Sequence, residues 1–137
     1  MIDALFARYQ CLFRSTEGAS GSRVQTLLLQ HLGQLFVSRI SCAELFAYGY
    51  RTNANQLLRI DRMLGDWKIL EFDDECSREY GRLHARLAER GQQRAMADLM
   101  IAATAVVLSL VLVTHDSDFR SLQSIITELR LEDWLND

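Results

Sequence analysis

Residues 97–105 read Ala-Asp-Leu-Met-Ile-Ala-Ala-Thr-Ala, and they predict an apolar helix with one carboxylate near its start. The alanines of this stretch allow a neighbouring element to approach closely. Asp98 is therefore a charge beside a core, and burying a charge is costly unless it is paired or binds a metal. This carboxylate needs a partner, either a cation of the protein or a metal ion.

The composition predicts one domain over residues 1–137, because 137 residues with 49% hydrophobic content can bury a sizeable core. The net charge of −3 excludes the general basic character of many nucleic-acid binders. It leaves room for an acidic site that recruits a cation. Cys11, Cys42 and Cys76 are odd in number and form no Cys-x-x-Cys pair, which indicates free thiols in a reducing compartment.

The apolar run over residues 99–113 is shorter than the roughly 20 residues that a membrane helix needs. Asp98 and His115-Asp116 bound this run on its two sides. Residues 1–13 are amphipathic and lack the continuous apolar region of a signal peptide. We therefore expect a cytoplasmic protein without a membrane segment.

Hydrophobic spacing predicts helices that alternate with short strands. Helices are expected over residues 4–13, 24–32, 42–50, 56–64, 74–90 and 96–108, and a loop over 15–22. Strands are expected over residues 35–38, 67–72 and 110–113, with a last edge strand over 129–131. This alternation predicts a three-layer α/β fold, in which helices flank a mostly parallel central sheet.

Acidic residues follow the carboxyl ends of the predicted strands, where open α/β sheets bind ligands. Glu44 follows the strand over 35–38, Asp98 begins the apolar helix, and Asp116 and Asp118 follow the third strand. Converging carboxylates repel one another unless they are protonated or bridged by a cation. Oxygen ligands suit Mg²⁺ or Mn²⁺, and such an ion can activate water for phosphodiester cleavage.

Each of these acids also has a purely structural interpretation. Glu44 stands at the third position of a capping box that begins at Ser41, so it can serve as a helix cap. Asp98 can cap its helix or pair with an arginine. Asp116 and Asp118 lie in a His-Asp-Ser-Asp-Phe turn, where aspartate commonly makes local hydrogen bonds.

Three segments together resemble the PIN-domain family, and within it the VapC-like toxins of type II bacterial toxin–antitoxin pairs. They are Ser-Arg-Ile-Ser-Cys-Ala-Glu-Leu at 38–45, the stretch at 97–105, and Leu-Val-Thr-His-Asp-Ser-Asp-Phe at 112–119. The resemblance runs from residue 35 to the C-terminus. By motif position, Glu44 and Asp98 match family acids, and Asp116 matches the fourth, with Asp118 as a close substitute.

The resemblance implies a Mg²⁺-dependent ribonuclease that cleaves RNA, forms a homodimer and is neutralised by a small antitoxin whose tail occupies the active site. Family members begin with an apolar strand that ends in an aspartate, a principal metal ligand. This chain begins Met-Ile-Asp-Ala-Leu-Phe, so we expect that strand to be missing. Asp3 is then either the motif's second acid or a shifted stand-in for the first, beside Glu44, Asp98 and Asp116 as metal ligands.

A missing first strand leaves a second function open. The chain would then be a truncated, catalytically inactive PIN-like domain that acts only as an antitoxin-binding or dimerisation module. A third function is a metal-dependent phosphoesterase with a substrate other than RNA.

Five arginines recur at every fourth position of the helix predicted over 74–90 and the residues that follow it: Arg78, Arg82, Arg86, Arg90 and Arg94. A four-residue step turns by about 40° per repeat on a helix of 3.6 residues per turn, so the row winds around the helix. Acidic neighbours favour a solvated, ion-paired face. Phosphate contact by Arg90 or Arg94, the two nearest Asp98, is the functional alternative.

Overall fold

A five-stranded sheet organises the part of the chain that the computed structural model describes, namely residues 4–6, 18–31 and 33–134. Neighbouring strands pair in parallel, in the spatial order β3-β2-β1-β4-β5. The strands are β1 (Ala4–Phe6), β2 (Leu35–Ser38), β3 (Lys68–Leu70), β4 (Val111–Val113) and β5 (Arg130–Glu132). The parallel pairing confirms the predicted α/β class, and β5 is an edge strand as expected.

Helices cover both faces of the sheet, which confirms three layers. They are α1 (Gly18–Gln30), α2 (Arg39–Thr52), α3 (Ala54–Gly65), α4 (Asp74–Glu89), α5 (Met96–Val107) and α6 (Ser117–Gln123). Successive residues of a strand point to opposite faces. Accordingly, Leu112 packs in a core with α4, α5 and α6, whereas Val113 packs in a second core with α1, α2 and α3. None of the described helices combines the length and the apolar character that a membrane span requires.

The central strand β1 corrects two expectations at the start of the chain. Ala4 pairs with Leu35 on one side and with Val111 on the other, so the first strand is present and a helix does not begin at residue 4. The spacing of apolar residues in 4–13 is helical, but hydrogen bonding to two parallel neighbours determines the conformation of 4–6. Residues 7–17 lie outside the described part of the chain.

Helix α2 begins earlier than its predicted cap. Ser38 is the N-cap, and its side chain accepts a hydrogen bond from the backbone N–H of Ile40 at 3.0 Å. Ser41 lies inside the helix and is buried, so the capping box from Ser41 to Glu44 is wrong. The reason is that β2 leads directly into the helix, and its last residue already has the extended backbone of a cap.

Several other helix boundaries are informative. Asp73 caps α4 as predicted, since its side chain accepts a hydrogen bond from the Cys76 N–H at 2.9 Å. Helix α1 begins at Gly18, inside the region expected as a loop. Helix α6 was expected as a turn, although Phe119 and Leu122 stand at helical spacing and are both fully buried.

The turn between α5 and β4 contains a residue with left-handed backbone. Ser109 has φ of 54°, a conformation that glycine adopts more readily than serine. Arg130 on β5 donates a hydrogen bond to the carbonyl oxygen of Ser109. This side chain therefore connects the edge strand to the turn that starts β4.

The two described cysteines agree with the expectation of free thiols. Cys42 and Cys76 are buried and form no disulfide. Burial raises the pKa of both thiols, so neither is a reactive thiolate at neutral pH. Cys11 lies outside the described residues.

The close contact of α2 with α3 provides a test of core packing. A methyl group on Gly49 would lie 2.7 Å from Cδ2 of Leu57 and 2.9 Å from Cδ1 of Ile60, which is fully buried. We expect Gly49→Ala to lower the free energy of unfolding by about 1 kcal/mol through overpacking, measured by urea denaturation. Gly81→Ala is the control, because the space around Gly81 is open, and it should raise stability by about 0.5–1 kcal/mol. An equal gain from both substitutions would contradict the close packing.

Candidate active site

The order of the strands places the candidate site at the carboxyl ends of β1 and β4. Strands β2 and β3 lie on one side of β1, and the chain then crosses over so that β4 and β5 lie on the other side. Open parallel sheets bind ligands at such a switch point, because the connections leave it in opposite directions and open a crevice. Asp116 follows β4 at this crevice, and β2, which precedes Glu44, is the next strand on the other side of β1.

Asp98 lies in the first turn of α5 and is only 2% exposed. The N-cap of α5 is Ala95, which makes no side-chain cap, so Asp98 is not the capping residue of this helix. A carboxylate in the first turn is favoured by the positive end of the helix dipole. The structure thus confirms a charge buried beside the core.

Glu44 lies in the second turn of α2 and is half-buried. Its neighbours Cys42 and Leu45 are buried in the core, so its backbone is held rigidly. Helix α2 packs against α5, the helix that carries Asp98. The two acids therefore belong to contacting helices that both begin near the carboxyl edge of the sheet.

Asp116 is the N-cap of α6, and Oδ1 of this residue accepts a hydrogen bond from the Asp118 N–H at 2.9 Å. Its own N–H donates to Oγ1 of Thr114 at 3.0 Å. The local hydrogen bonding expected of this turn is therefore present. Capping uses one carboxylate oxygen, and a carboxylate can cap a helix and bind a cation at the same time. Asp118 is exposed, and its carbonyl oxygen accepts a hydrogen bond from Ser121.

The donor set agrees with a divalent cation, although it forms no closed cage. Within residues 4–6, 18–31 and 33–134, no three His, Cys, Asp or Glu side chains are grouped closely enough to hold a metal ion. Asp3 lies outside the described residues. Mg²⁺ is commonly held by one or two carboxylates, with waters and substrate phosphates as its other ligands. Asp98, alone or with one of the half-buried acids Glu44 and Asp116, meets that requirement in chemistry and in number.

Asp133 is a buried acid at this edge of the sheet that the sequence did not single out. It follows β5 and is 3% exposed, and Oδ2 accepts from Nη2 of Arg120 at 2.6 Å. Nδ1 of His115 lies 2.9 Å from the same oxygen. The rule that selected the other acids, a carboxylate just after a strand, also applies to Asp133. The network joins the end of β5 to the loop that carries Asp116.

The ion-paired interpretation of the arginine row holds for its first three members. Arg78 pairs with Asp74 at 2.8 Å, Arg82 with Glu79 at 2.7 Å, and Arg86 with Glu128 at 3.0 Å. The hydrogen bond from Arg86 holds the pKa of the Glu128 carboxyl below its usual value. This pair joins α4 to the segment before β5.

The Asp133 network can be tested by a change that removes its shared acceptor. We expect Asp133→Ala to lower the free energy of unfolding by about 2 kcal/mol, because two donors lose one buried acceptor. Asp133→Asn should cost less, since it retains one oxygen that can accept a hydrogen bond. Thermal and urea denaturation measure both variants. Equal stability of Asp133→Ala and the wild type would show that the network does not hold β5 to the Asp116 loop.

Comparison with known proteins identifies the family. The model of the PIN domain matches residues 11–124, so the similarity extends further towards the N-terminus than the three motifs. Ribonuclease VapC2 of Rickettsia felis is 30% identical over 112 residues, which cover 78% of this chain and 79% of the relative. Ribonuclease VapC5 of Mycobacterium tuberculosis is 39% identical over 59 residues, which span 43% of this chain and 44% of the relative.

A solved structure agrees with the fold. DNA-bound VapBC from Salmonella typhimurium superimposes with a TM-score of 0.82 at 23% identity, covering 98% of this chain and 99% of that chain. The family match covers well over half of the sequence, and the relative from Rickettsia felis supports it over most of its length. The chain therefore belongs to the PIN-domain family, in which it is related to the VapC ribonucleases.

Proposed function

We propose that this chain is a metal-dependent endoribonuclease, the toxin of a toxin–antitoxin pair, which cleaves RNA phosphodiester bonds at the switch point between β1 and β4. The observation that carries the proposal is the burial of Asp98, 2% exposed in the first turn of α5, in a chain related to the VapC ribonucleases. A carboxylate held in this way by a core helix can supply an oxygen ligand of the kind that Mg²⁺ prefers.

Asp98, Glu44 and Asp116 are the candidate ligands of Mg²⁺ or Mn²⁺, of which one or two would bind the ion directly. Asp3 is a further candidate outside the described part of the chain. Such an ion supplies Lewis-acid stabilisation of the phosphate and activation of water. The protein holds these acidic side chains in fixed positions. Asp98 is held by a core helix, and Asp116 by its hydrogen bonds to the backbone of α6 and to Thr114. Asp118 is exposed and has the smaller role.

The relation to the VapC ribonucleases also indicates the substrate, the regulator and the oligomeric state. The substrate is RNA, whose phosphates would supply further oxygen ligands to an ion held by few protein groups. The regulator is a small antitoxin protein, as the resemblance to VapC-like toxins implies. The active form is a homodimer, which gel filtration coupled to light scattering measures directly.

The inactive-module alternative loses its main support in this structure. It rested on the absence of the first strand, and β1 is present at the centre of the sheet. Metal-dependent hydrolysis of a substrate other than RNA is a second candidate that the same carboxylates can support. A panel of RNA, DNA and small phosphodiesters separates it from the proposed activity.

Substitution of Asp98 tests the activity. Purified protein should cleave labelled single-stranded RNA with Mg²⁺ or Mn²⁺, and Asp98→Asn should lower kcat/KM on the order of a hundredfold or more, since it removes a charged ligand at nearly constant shape. The matched control is Asp61→Asn, which changes an exposed acid on α3 and should keep wild-type kinetics. Cleavage that persists in EDTA and in Asp98→Asn would overturn the proposal.

The remaining acids should differ in importance according to their burial. We expect Glu44→Gln and Asp116→Asn to weaken Mn²⁺ binding and cleavage strongly, and Asp118→Asn to reduce both by less than about threefold, as for an exposed charge. Isothermal titration calorimetry with Mn²⁺ and initial cleavage rates on one RNA rank the three variants by their loss of metal binding and of activity. If Asp118→Asn lost more Mn²⁺ affinity and cleavage activity than Asp116→Asn, Asp118 rather than Asp116 would be the metal ligand.

A further inference from the structure

A cavity of about 570 Å³ lies beside the start of α5, and the carboxylate site does not account for it. Its floor is formed by the edges of two core residues, Leu87 of α4 and Leu99 of α5, which are 2% and 1% exposed. Leu99 directly follows Asp98 in sequence. Its polar lining includes Arg94 together with His84, Gln92 and Gln93. The volume lies in the range of about 300–1,000 Å³ that is typical of small-molecule sites.

The two last arginines of the row differ from the first three. Arg90 and Arg94 form no ion pair with any residue of the described chain, whereas Arg78, Arg82 and Arg86 are each paired with a carboxylate. Residues 89–95 contain two guanidinium groups and one carboxylate, that of Glu89. This segment therefore has a positive charge in a protein whose net charge is negative.

Arg94 is held in place by neutral groups. Nη2 donates to Oγ of Ser121 at 2.9 Å, and Nη1 donates to the carbonyl oxygen of Gln93 at 3.0 Å. Ser121 lies in α6, the helix that Asp116 caps, and Arg94 precedes the helix that carries Asp98. The guanidinium thus connects the segments of two candidate site acids, and no carboxylate within residues 4–6, 18–31 and 33–134 pairs with it. A fixed, planar guanidinium is well suited to bind phosphate.

The rest of the cavity suits a nucleobase. Proteins that bind single-stranded RNA stack unpaired bases on apolar, aromatic or histidine side chains and hydrogen-bond to their edges. The exposed Ala88 provides an apolar wall, and the amides of Gln92 and Gln93 provide donors and acceptors. His84, which lies 5.9 Å from the ring of Tyr80, adds a ring at the rim.

We propose that this cavity binds one unpaired nucleotide of the substrate RNA next to the cleaved bond. Its phosphate contacts Arg94, and its base lies against the wall formed by Ala88, Gln92 and Gln93. The inference rests on the proposed ribonuclease function and adds a subsite that selects the nucleotide. A nucleotide fits better than an acidic peptide, because Arg94, which forms no ion pair within the described residues, and the amides of Gln92 and Gln93 line one cavity beside the start of the Asp98 helix.

Binding without cleavage tests the subsite. Full-length protein in EDTA is titrated into a fluorescein-labelled ten-nucleotide RNA of mixed sequence, and anisotropy measures Kd. Arg94→Gln should raise Kd about three- to tenfold and lower its salt dependence, as expected for the loss of one phosphate contact. Ala88→Trp fills the cavity from its wall without changing charge, and it should also weaken binding. The matched control is Arg78→Gln, which removes the same charge at the far end of α4 and should leave Kd within about twofold.

Cleavage kinetics with Mg²⁺ separate this subsite from the chemical step. Arg94→Gln and Ala88→Trp should raise KM and alter the preference among RNAs that differ at one base, with kcat close to the wild type. Equal RNA binding by Arg94→Gln, Ala88→Trp and Arg78→Gln would overturn the inference, as would a wild type that binds no RNA in EDTA. The inference would also be overturned if Arg94→Gln and Ala88→Trp bound a glutamate-rich peptide more weakly than the wild type but bound RNA equally well. That result would assign the cavity to a protein partner. RNA binding through the cavity without any metal-dependent cleavage would instead refute the proposed function.

Discussion

Hydrogen bonding of β1 to two parallel neighbours is the constraint on which the rest of the structure depends. This three-residue strand joins β2 on one side and β4 on the other, and without it the two halves of the sheet would not share one surface. Because all the strands are parallel, their carboxyl ends lie along one edge. The helix that follows β2 and carries Glu44 packs against the helix that precedes β4 and carries Asp98.

The two most buried acids of the site region are stabilised in different ways. Asp133 accepts hydrogen bonds from Arg120 and His115, so its charge is compensated inside the protein and its role is to hold the Asp116 loop. Asp98 lies in the first turn of a helix without a side-chain cap. The first arrangement is structural, whereas a buried acid in the first turn of a helix suits the ligand role that we propose for Asp98.

The arginines that recur every four residues have two kinds of partner, some within their own helix and some far away in sequence. Four-residue spacing predicted either an ion-paired face or phosphate contacts, and both are compatible with the structure at different positions of the row. Arg78 and Arg82 find acids on their own helix, which sequence spacing can indicate. Arg86 pairs with Glu128, which is 42 residues away in sequence. Arg94 reaches Ser121 in α6, a partner that no local pattern indicates.

The sequence by itself determined the parallel α/β class, the Asp73 cap, the apolar helix with its buried Asp98, and the acids after the strands. These features arise from periodicity and from contacts within a few residues, which local sequence records. Only the tertiary structure decided that Ala4–Phe6 is the central strand, that Ser38 caps α2, and that Asp133 anchors the Asp116 loop. A three-residue strand is too short to show a period, and its conformation depends on strands about 30 and 107 residues away. Likewise, the partners of Asp133 lie 13 and 18 residues away and meet it only when β4 and β5 pair.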